Sequence, residues 1–497
     1  MSVAATRRWL GRPTAPLIVI AAVKFAIHLA TNGVYGFQRD EMYYIISGQH
    51  PALGYVDYPP VTPMLARLNT SIFGISPWTL RLFPALAGAL VVLLAGMCAR
   101  EMGAGRNIAI VASLVTLMSP LLLGANWLFQ TVTFDQLTWL IAIYLLLRIL
   151  RTGDGRLFIW LGIAIGVGLE TKLTILALCA GIVAAVLMSR ELRPFLRTRY
   201  PWVALAIAAA LFAPNVAWQS ANAFPSLTYV RNHSADIANS GGILAFVADF
   251  VLYTGPLILP LWIAGLVFLF RKERLRPMGV LTAVAILLLL PEGKAYYPAP
   301  TIPLVLAAGC TAVGGIVSLT RRRRITGLVI GGGFIQLAVL LPVILPVIPT
   351  SSLHSFNLDK LRQDFADTVG WPGVAAQVAA VYNGLPQSQR ATTSILTNNY
   401  GEAGAIDIYG GRDHLPMAIS PQLTFWYWKP ANLEATTLVT VGFNPGDIMF
   451  FCGNVTRAGT VNMPDSVANQ EAGTPILVCS HLRESLNAAW PSLRSFN

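Results

Sequence analysis

Residues 37–60 read FQRDEMYYIISGQHPALGYVDYPP and lie between two long apolar runs. Asp40 and Glu41 are adjacent, within a few residues of Arg39, Tyr43, Tyr44 and Asp57. Ionised groups beside hydrocarbon are costly unless paired or hydrated. The plain reading is a solvated loop whose carboxylates cap a helix beginning at Met42. The sharper reading is an acid/base site at a membrane surface. There one carboxylate is held ionised by Arg39 while its neighbour positions it.

The flanking runs set the fold class. Of the 497 residues 55% are hydrophobic and 12% charged, against about 25% charged in an average soluble domain; mean hydropathy is +0.60. Apolar runs approach the ~17–25 residues that cross a bilayer. They cover roughly 15–34, 78–99, 107–124, 128–148, 157–169, 173–188, 202–219, 243–269, 278–290, 299–318 and 325–347. This predicts a polytopic all-α membrane protein with about eleven transmembrane helices. The first run follows Arg7, Arg8 and Arg12 and lacks an A-x-A cleavage site, so it reads as a retained span.

The net charge of +12 does not point to nucleic acid, because the basic residues punctuate the spans. They cluster at 7–12, 100–106, 148–156, 190–199, 271–276 and 321–324. The alternate segments hold only Arg39, Arg67, Arg81, Lys172, Arg231 and Lys294. The positive-inside rule then puts the N-terminus in the cytoplasm. The Asp40–Glu41 loop falls on the outer face, and so does everything after Pro349.

Two spans are short. A 13-residue helix over 157–169 rises only about 20 Å, so a turn at 168–172 leaves Lys172 below the outer surface, inside protein or a wet cavity. The run 278–290 ends at Pro291-Glu292-Gly293-Lys294 and brings a second lysine to similar depth. Broken or short spans beside polar residues point to a binding site. Lys172 and Lys294 together can neutralise a phosphate at the interface, with Tyr296 and Tyr297 as donors.

The outer segments complete the expectations. Pro59-Pro60 starts a second short helix through Phe73 in the first outer loop. The loop 220–242, with Arg231 and His233, reads as an interfacial helix. Trp78, Trp127, Trp218 and Trp262 fall near span ends, as aromatic belts do. Asp135 stands at the head of the fourth span, where an acidic N-cap is the plainer reading. His233 alone is more often structural, and Asp57 before two prolines reads as a turn residue. From Ser351 polar residues rise and no further span follows. We therefore divide the chain into a transmembrane domain, 1–349, and a small extracytoplasmic α/β domain, 350–497. The second has a helical stretch at 360–384 and strands at Thr393–Leu396, Leu438–Val441 and Pro475–Val478. Cys452 and Cys479 are its only cysteines, and an oxidising compartment permits a disulfide between them.

The segment RDEMYYIISGQHPALGYVDYPPVTPMLARL (39–68) closely resembles the first outer loop of bacterial membrane glycosyltransferases of the protein O-mannosyltransferase type. These have the C-type fold, shared with lipid A aminoarabinose transferases. TFDQL (133–137), GLETKLT (168–174), PEGKAYYPAPTIPLVLAAG (291–309) and NYGEAGAIDIYG (399–410) continue the likeness in family order. One departure is SPQLTFWYW (420–428), where the group often carries a His-Asn pair before its aromatic run.

The resemblance implies an inverting transferase, hexosyl or pentosyl, that uses a polyprenyl-phosphate sugar donor. The acceptor would be a glycan, lipid or protein at the outer face of a bacterial cytoplasmic membrane. It maps the catalytic acidic positions onto Asp40, with Glu41 beside it, and onto Asp135. Lys172, Lys294, Tyr296, Tyr297 and Arg231 become donor-phosphate candidates, and Arg39, Tyr43, Asp57 and His233 flank the acceptor. Asp40, Glu41 and Asp135 could together hold a divalent metal ion without requiring one. Short spans with buried lysines also suit a transporter or flippase of lipid-linked sugars, although transporters usually show repeated halves and none is evident. A glycan-binding scaffold is a third reading.

Overall fold

The computed structural model describes residues 14–237, 242–290, 294, 296–316, 319–431 and 433–497. The side chains of 233–237, 242–245, 316 and 319–322 are outside that set. The basic residues expected at 7–12 therefore lie beyond the described chain.

The membrane half is helical, and each expected apolar run carries at least one helix. Among the described residues four helices are long and apolar enough to cross a membrane: Pro77–Glu101, Thr131–Thr152, Tyr200–Ala221 and Arg323–Ile344. Shorter apolar helices include Ala15–Thr31, Arg106–Leu117, Leu157–Leu169 and Ile175–Met188.

The run 243–269, expected as one span, is two helices. Phe246–Thr254 and Leu259–Arg271 meet at 98°. Gly255 at the break has φ +104°, a conformation costly for any residue with a Cβ, and a Cβ there would meet the Gln336 amide at 2.1 Å. Pro256 follows immediately, and proline disfavours helix in the residue before it. The hairpin at 157–188 forms as expected, with Thr171 and Lys172 both donating backbone N–H groups to Gly168 O at 2.9 Å. Its arms diverge, the first packing along Tyr200–Ala221 and the second along Arg276–Leu289. Elsewhere small residues allow close helix contact. A Cβ on Gly265 would lie 1.9 Å from Val305 O, and one on Gly309 would lie 2.1 Å from Leu261 O.

The first loop folds into two helices, Arg39–Gln49 and Val61–Phe73. The first begins three residues earlier than expected. Gln38 is its N-cap, accepting from Asp40 N at 2.7 Å, while Glu41 accepts from Gln38 N at 2.9 Å. This reciprocal arrangement satisfies two backbone donors that the helix leaves orphaned. The helix Pro225–Ile237 follows a break at Ala223 and Phe224, both with positive φ. Trp127 is fully buried rather than interfacial, edge-on to Tyr35 and Phe365.

The C-terminal region carries a five-stranded sheet: β1 Thr393–Thr397, β2 Ala418–Ile419, β3 Thr437–Val441, β4 Cys452–Thr460 and β5 Pro475–Leu482. Their order is β2-β1-β3-β5-β4; β2, β1 and β3 run parallel, and β5 is antiparallel to both β3 and β4. Helix Trp371–Asn383 buries Trp371, Val374 and Val378 beside β3 and β4.

Cys452 and Cys479 form a disulfide across β4 and β5, 27 residues apart in sequence. On a loop-closure argument, Cys452→Ser with Cys479→Ser removes about 3.5 kcal/mol of stability. Thermal unfolding of the double variant, in oxidant and in reductant, checks this; the wild type should match it only when reduced.

One hydrophobic cluster joins the first loop to the sheet region. It contains Met42, Tyr43, Tyr44, Tyr55 and Tyr58 from the loop and Trp371, Ile395, Ala403, Phe425 and Val439 from the C-terminal side. Val56 N donates to Thr424 Oγ1 and Thr424 N donates to Tyr43 Oη, both at 3.0 Å. Thr424 lies within SPQLTFWYW, so this stretch is one of the places where the two parts join.

Candidate active site

The helix Arg39–Gln49 turns about 100° per residue, and this separates the two adjacent carboxylates. Glu41 faces inward and is fully buried. It accepts from Arg81 Nε at 2.9 Å, Arg81 Nη2 at 2.7 Å, Gln38 N at 2.9 Å and Phe129 N at 2.9 Å. Arg81, also fully buried, donates in addition to the carbonyls of Asn32, Tyr35 and Gly36. Its guanidinium stacks 4.6 Å from the Trp127 ring. Glu41 is therefore a helix cap and a buried ion-pair partner, and it does not line the cavity described next. Glu41 thus caps the helix, as the plain reading has it, but from a buried position rather than a solvated one.

Asp40 faces a cavity of about 1550 Å³. The same cavity is lined by Arg39, Tyr43, Asp57, Lys172, Lys294, Tyr296 and Tyr297, so seven of the residues expected at the site line it with Asp40. Apolar side chains line it as well, among them Phe212, Val216, Leu227, Leu252, Leu288, Leu289 and Leu340. Lys172 reaches over the rings of Tyr296 and Tyr297, 5.7 and 5.0 Å from their centroids.

Asp40 Oδ1 accepts from Tyr400 Oη at 2.7 Å. Burial pushes the Asp40 carboxyl above its ordinary 3.8, while the Tyr400 hydrogen bond and Arg39 oppose the rise. Lys294 also interacts electrostatically with Asp40, and burial holds its ammonium below the usual 10.5. Asp57, read from the sequence as a turn residue, lines the cavity and accepts from Tyr43 Oη at 3.0 Å. Burial raises its carboxyl to about 7; Tyr43 opposes this and Asp40 adds to it.

The other expected residues fall elsewhere. Asp135 sits in the second turn of Thr131–Thr152 rather than at its cap, buried, with Oδ2 accepting from Thr174 Oγ1 at 2.8 Å. It lies behind the cavity wall, next to the wall residues Thr131, Val132 and Thr174. Arg231 is exposed and lies off the wall. His233 belongs to Pro225–Ile237, but its side chain is outside the described set. Among the described residues no three His, Cys, Asp or Glu side chains group closely enough to hold a metal ion. Asp40, Glu41 and Asp135 do not form the acidic cluster that their order in the chain suggested.

Residues 57–218 match the family model of dolichyl-phosphate-mannose-protein mannosyltransferases, the group that the first loop resembles. A search of curated protein sequences finds no match. Among solved structures, ArnT from Cupriavidus metallidurans bound to undecaprenyl phosphate is similar over 93% of this chain and 97% of its own. The identity is 14% and the TM-score 0.59. The apo form of that protein matches over 99% and 100%, with 15% identity and TM-score 0.58. Arabinofuranosyltransferase AftD from Mycobacteria matches over 96% of this chain and 40% of its own, with 15% identity and TM-score 0.52. The chain has the ArnT-like fold.

Proposed function

We propose that the protein is a glycosyltransferase that moves a sugar from a polyprenyl-phosphate donor to an acceptor hydroxyl, with inversion at the anomeric carbon. The observation that carries this reading is one cavity lined by Asp40, Lys172 and Lys294 together with many apolar side chains. The likeness to ArnT with undecaprenyl phosphate supports the donor class. Asp40 takes the acceptor proton. The acceptor oxygen bonds to the anomeric carbon from the face opposite the phosphate. The carbon–oxygen bond to phosphate breaks, and its electron pair leaves with the lipid phosphate. Fixed positive charge in a poorly solvated chamber stabilises that developing charge. Asp57, lining the same cavity, is placed to orient acceptor or sugar hydroxyls.

In this reading the eleven-span topology holds, the chamber opens at the outer face of the cytoplasmic membrane, and residues 350–497 form a domain there. The sugar is a hexose or a pentose, and the acceptor a glycan, lipid or protein. A flippase would need no base at the chamber wall.

Deleting the gene and analysing polyprenyl-phosphate lipids and envelope glycans by mass spectrometry tests the reading. One polyprenyl-phosphate sugar should accumulate as one glycosylated product disappears; an unchanged lipid profile would refute it.

Two quantitative expectations follow from the wall residues. Lys172→Ala with Lys294→Ala should weaken undecaprenyl phosphate binding more than about 100-fold, since a hydrogen bond to a charged group contributes about 1.5–3 kcal/mol. Titration of the purified variant with that lipid checks it. The base must also be ionised to act, and its carboxyl is raised above 3.8. Transfer should therefore fall on acidification at a pH above 3.8, with the limb visible in a pH profile of kcat.

A further inference from the structure

Helix Tyr400–Tyr409 belongs to the C-terminal region, yet it packs on the first-loop helix Arg39–Gln49. The motif NYGEAGAIDIYG shows how. Asn399 caps the helix, accepting from Glu402 N at 3.0 Å, and Glu402 accepts from Asn399 N at 3.2 Å. Gly401 and Gly404 face the first-loop helix. A Cβ on Gly404 would lie 2.9 Å from Met42 Cβ, and one on Gly401 would lie 3.3 Å from Arg39 Cβ. Two small residues three apart thus let the two backbones approach. That approach brings the Tyr400 hydroxyl to Asp40 Oδ1 at 2.7 Å.

Tyr400 is itself held on every side. Its N–H donates to Gln422 Oε1 at 3.0 Å. The Arg39 guanidinium sits 4.8 Å from its ring centroid, and the Tyr43 ring stacks on it at 4.7 Å. Glu402 Oε1, fully buried, has no hydrogen-bond donor among the described residues. Burial and the charge of nearby Glu471 hold the Glu402 carboxyl above its ordinary 4.5, and Asn399 Nδ2 donates to Glu471 Oε1 at 3.0 Å. The Asn399–Glu402 and Asn399–Glu471 contacts brace the turn that carries Tyr400.

We infer that Tyr400 is a positioning residue for Asp40: its hydroxyl occupies Oδ1, fixes the carboxylate plane and leaves Oδ2 as the oxygen that takes the acceptor's proton. The inference rests on the transfer reaction proposed above. It makes the C-terminal region part of the catalytic centre rather than an accessory to it. Among the described residues no hydrogen bond reaches Asp40 Oδ2. The charged and titratable groups around Asp40 come from several elements. Arg39 and Lys294 are the cations, and Asp57, Asp364 and Asp367 are the carboxyls. Tyr44, Tyr229 and Tyr296 are the further phenols. A hydrogen bond to the ionised form favours that form, so loss of the Tyr400 donor should make Asp40 harder to ionise.

The test compares Tyr400→Phe, Asp40→Asn and wild type in lipid nanodiscs, with the polyprenyl-phosphate sugar purified from the deletion strain, across a pH series. Phenylalanine keeps the ring between Arg39 and Tyr43, and a melting curve with undecaprenyl phosphate reports whether the site is intact. Tyr400→Phe should bind donor with unchanged KM. Its kcat should fall about tenfold, and its acidic limb should move up by about one pH unit or more. A limb superimposed on that of wild type, or an equal loss at every pH, would overturn the inference and leave Tyr400 structural. Transfer by Asp40→Asn at the wild-type rate would instead overturn the proposed reaction, whatever Tyr400→Phe does.

Discussion

Arg81→Met should destabilise the protein by about 3–5 kcal/mol, because it strands a buried carboxylate. Glu41 is fully buried and accepts from four donors, two of them on Arg81. Methionine fills much of the arginine's volume but offers no charge. The carboxylate would keep only the Gln38 and Phe129 amides. The carbonyls of Asn32, Tyr35 and Gly36 would lose their donor as well. These groups fix the end of the first membrane helix, the start of the first-loop helix and the segment before Thr131–Thr152. Their loosening should also lower activity, although none of them touches the cavity. The double variant Arg81→Met with Glu41→Gln removes the stranded charge and should recover part of the loss. Thermal unfolding of the three proteins in the same detergent checks this. If Arg81→Met melts with wild type, the buried pair is not the node described here.

The same pair shows what the sequence could and could not disclose. Apolar runs are local, so their lengths exposed the helical membrane half and the short arms around Lys172. The break at Gly255-Pro256 was also legible in principle, since a residue suited to positive φ stands directly before a proline. The adjacent carboxylates were conspicuous, but neighbours on a helix point about 100° apart. Only the contact with Arg81, 40 residues away, shows which of the two is buried. Tyr400 lies 360 residues from Asp40. The motif that carries it was visible, yet nothing local to it names a partner. Asp57 looked like a turn residue because two prolines follow it; burial beside Tyr43 and Asp40 is a property of the folded chamber. Strand β4, CGNVTRAGT, escaped notice for a different reason. Most of its residues are exposed, so it lacks the alternation that marks a half-buried strand.

In the proposed reaction Asp40 is the group that takes the acceptor's proton. Asparagine has nearly the same shape and can still accept from Tyr400, so Asp40→Asn should leave the fold and the lysines of the chamber in place. What it removes is the basic oxygen. General-base catalysis contributes about 10²–10⁴-fold, and the transfer rate should fall by that factor. Glu41→Gln, by contrast, should act through stability and leave the pH dependence of the surviving activity unchanged. The decisive measurement is single-turnover transfer by purified Asp40→Asn in nanodiscs, run beside titration with undecaprenyl phosphate. The account predicts a rate at least about 100-fold below wild type with lipid binding retained. Transfer at the wild-type rate, with the lipid bound as tightly, would contradict it.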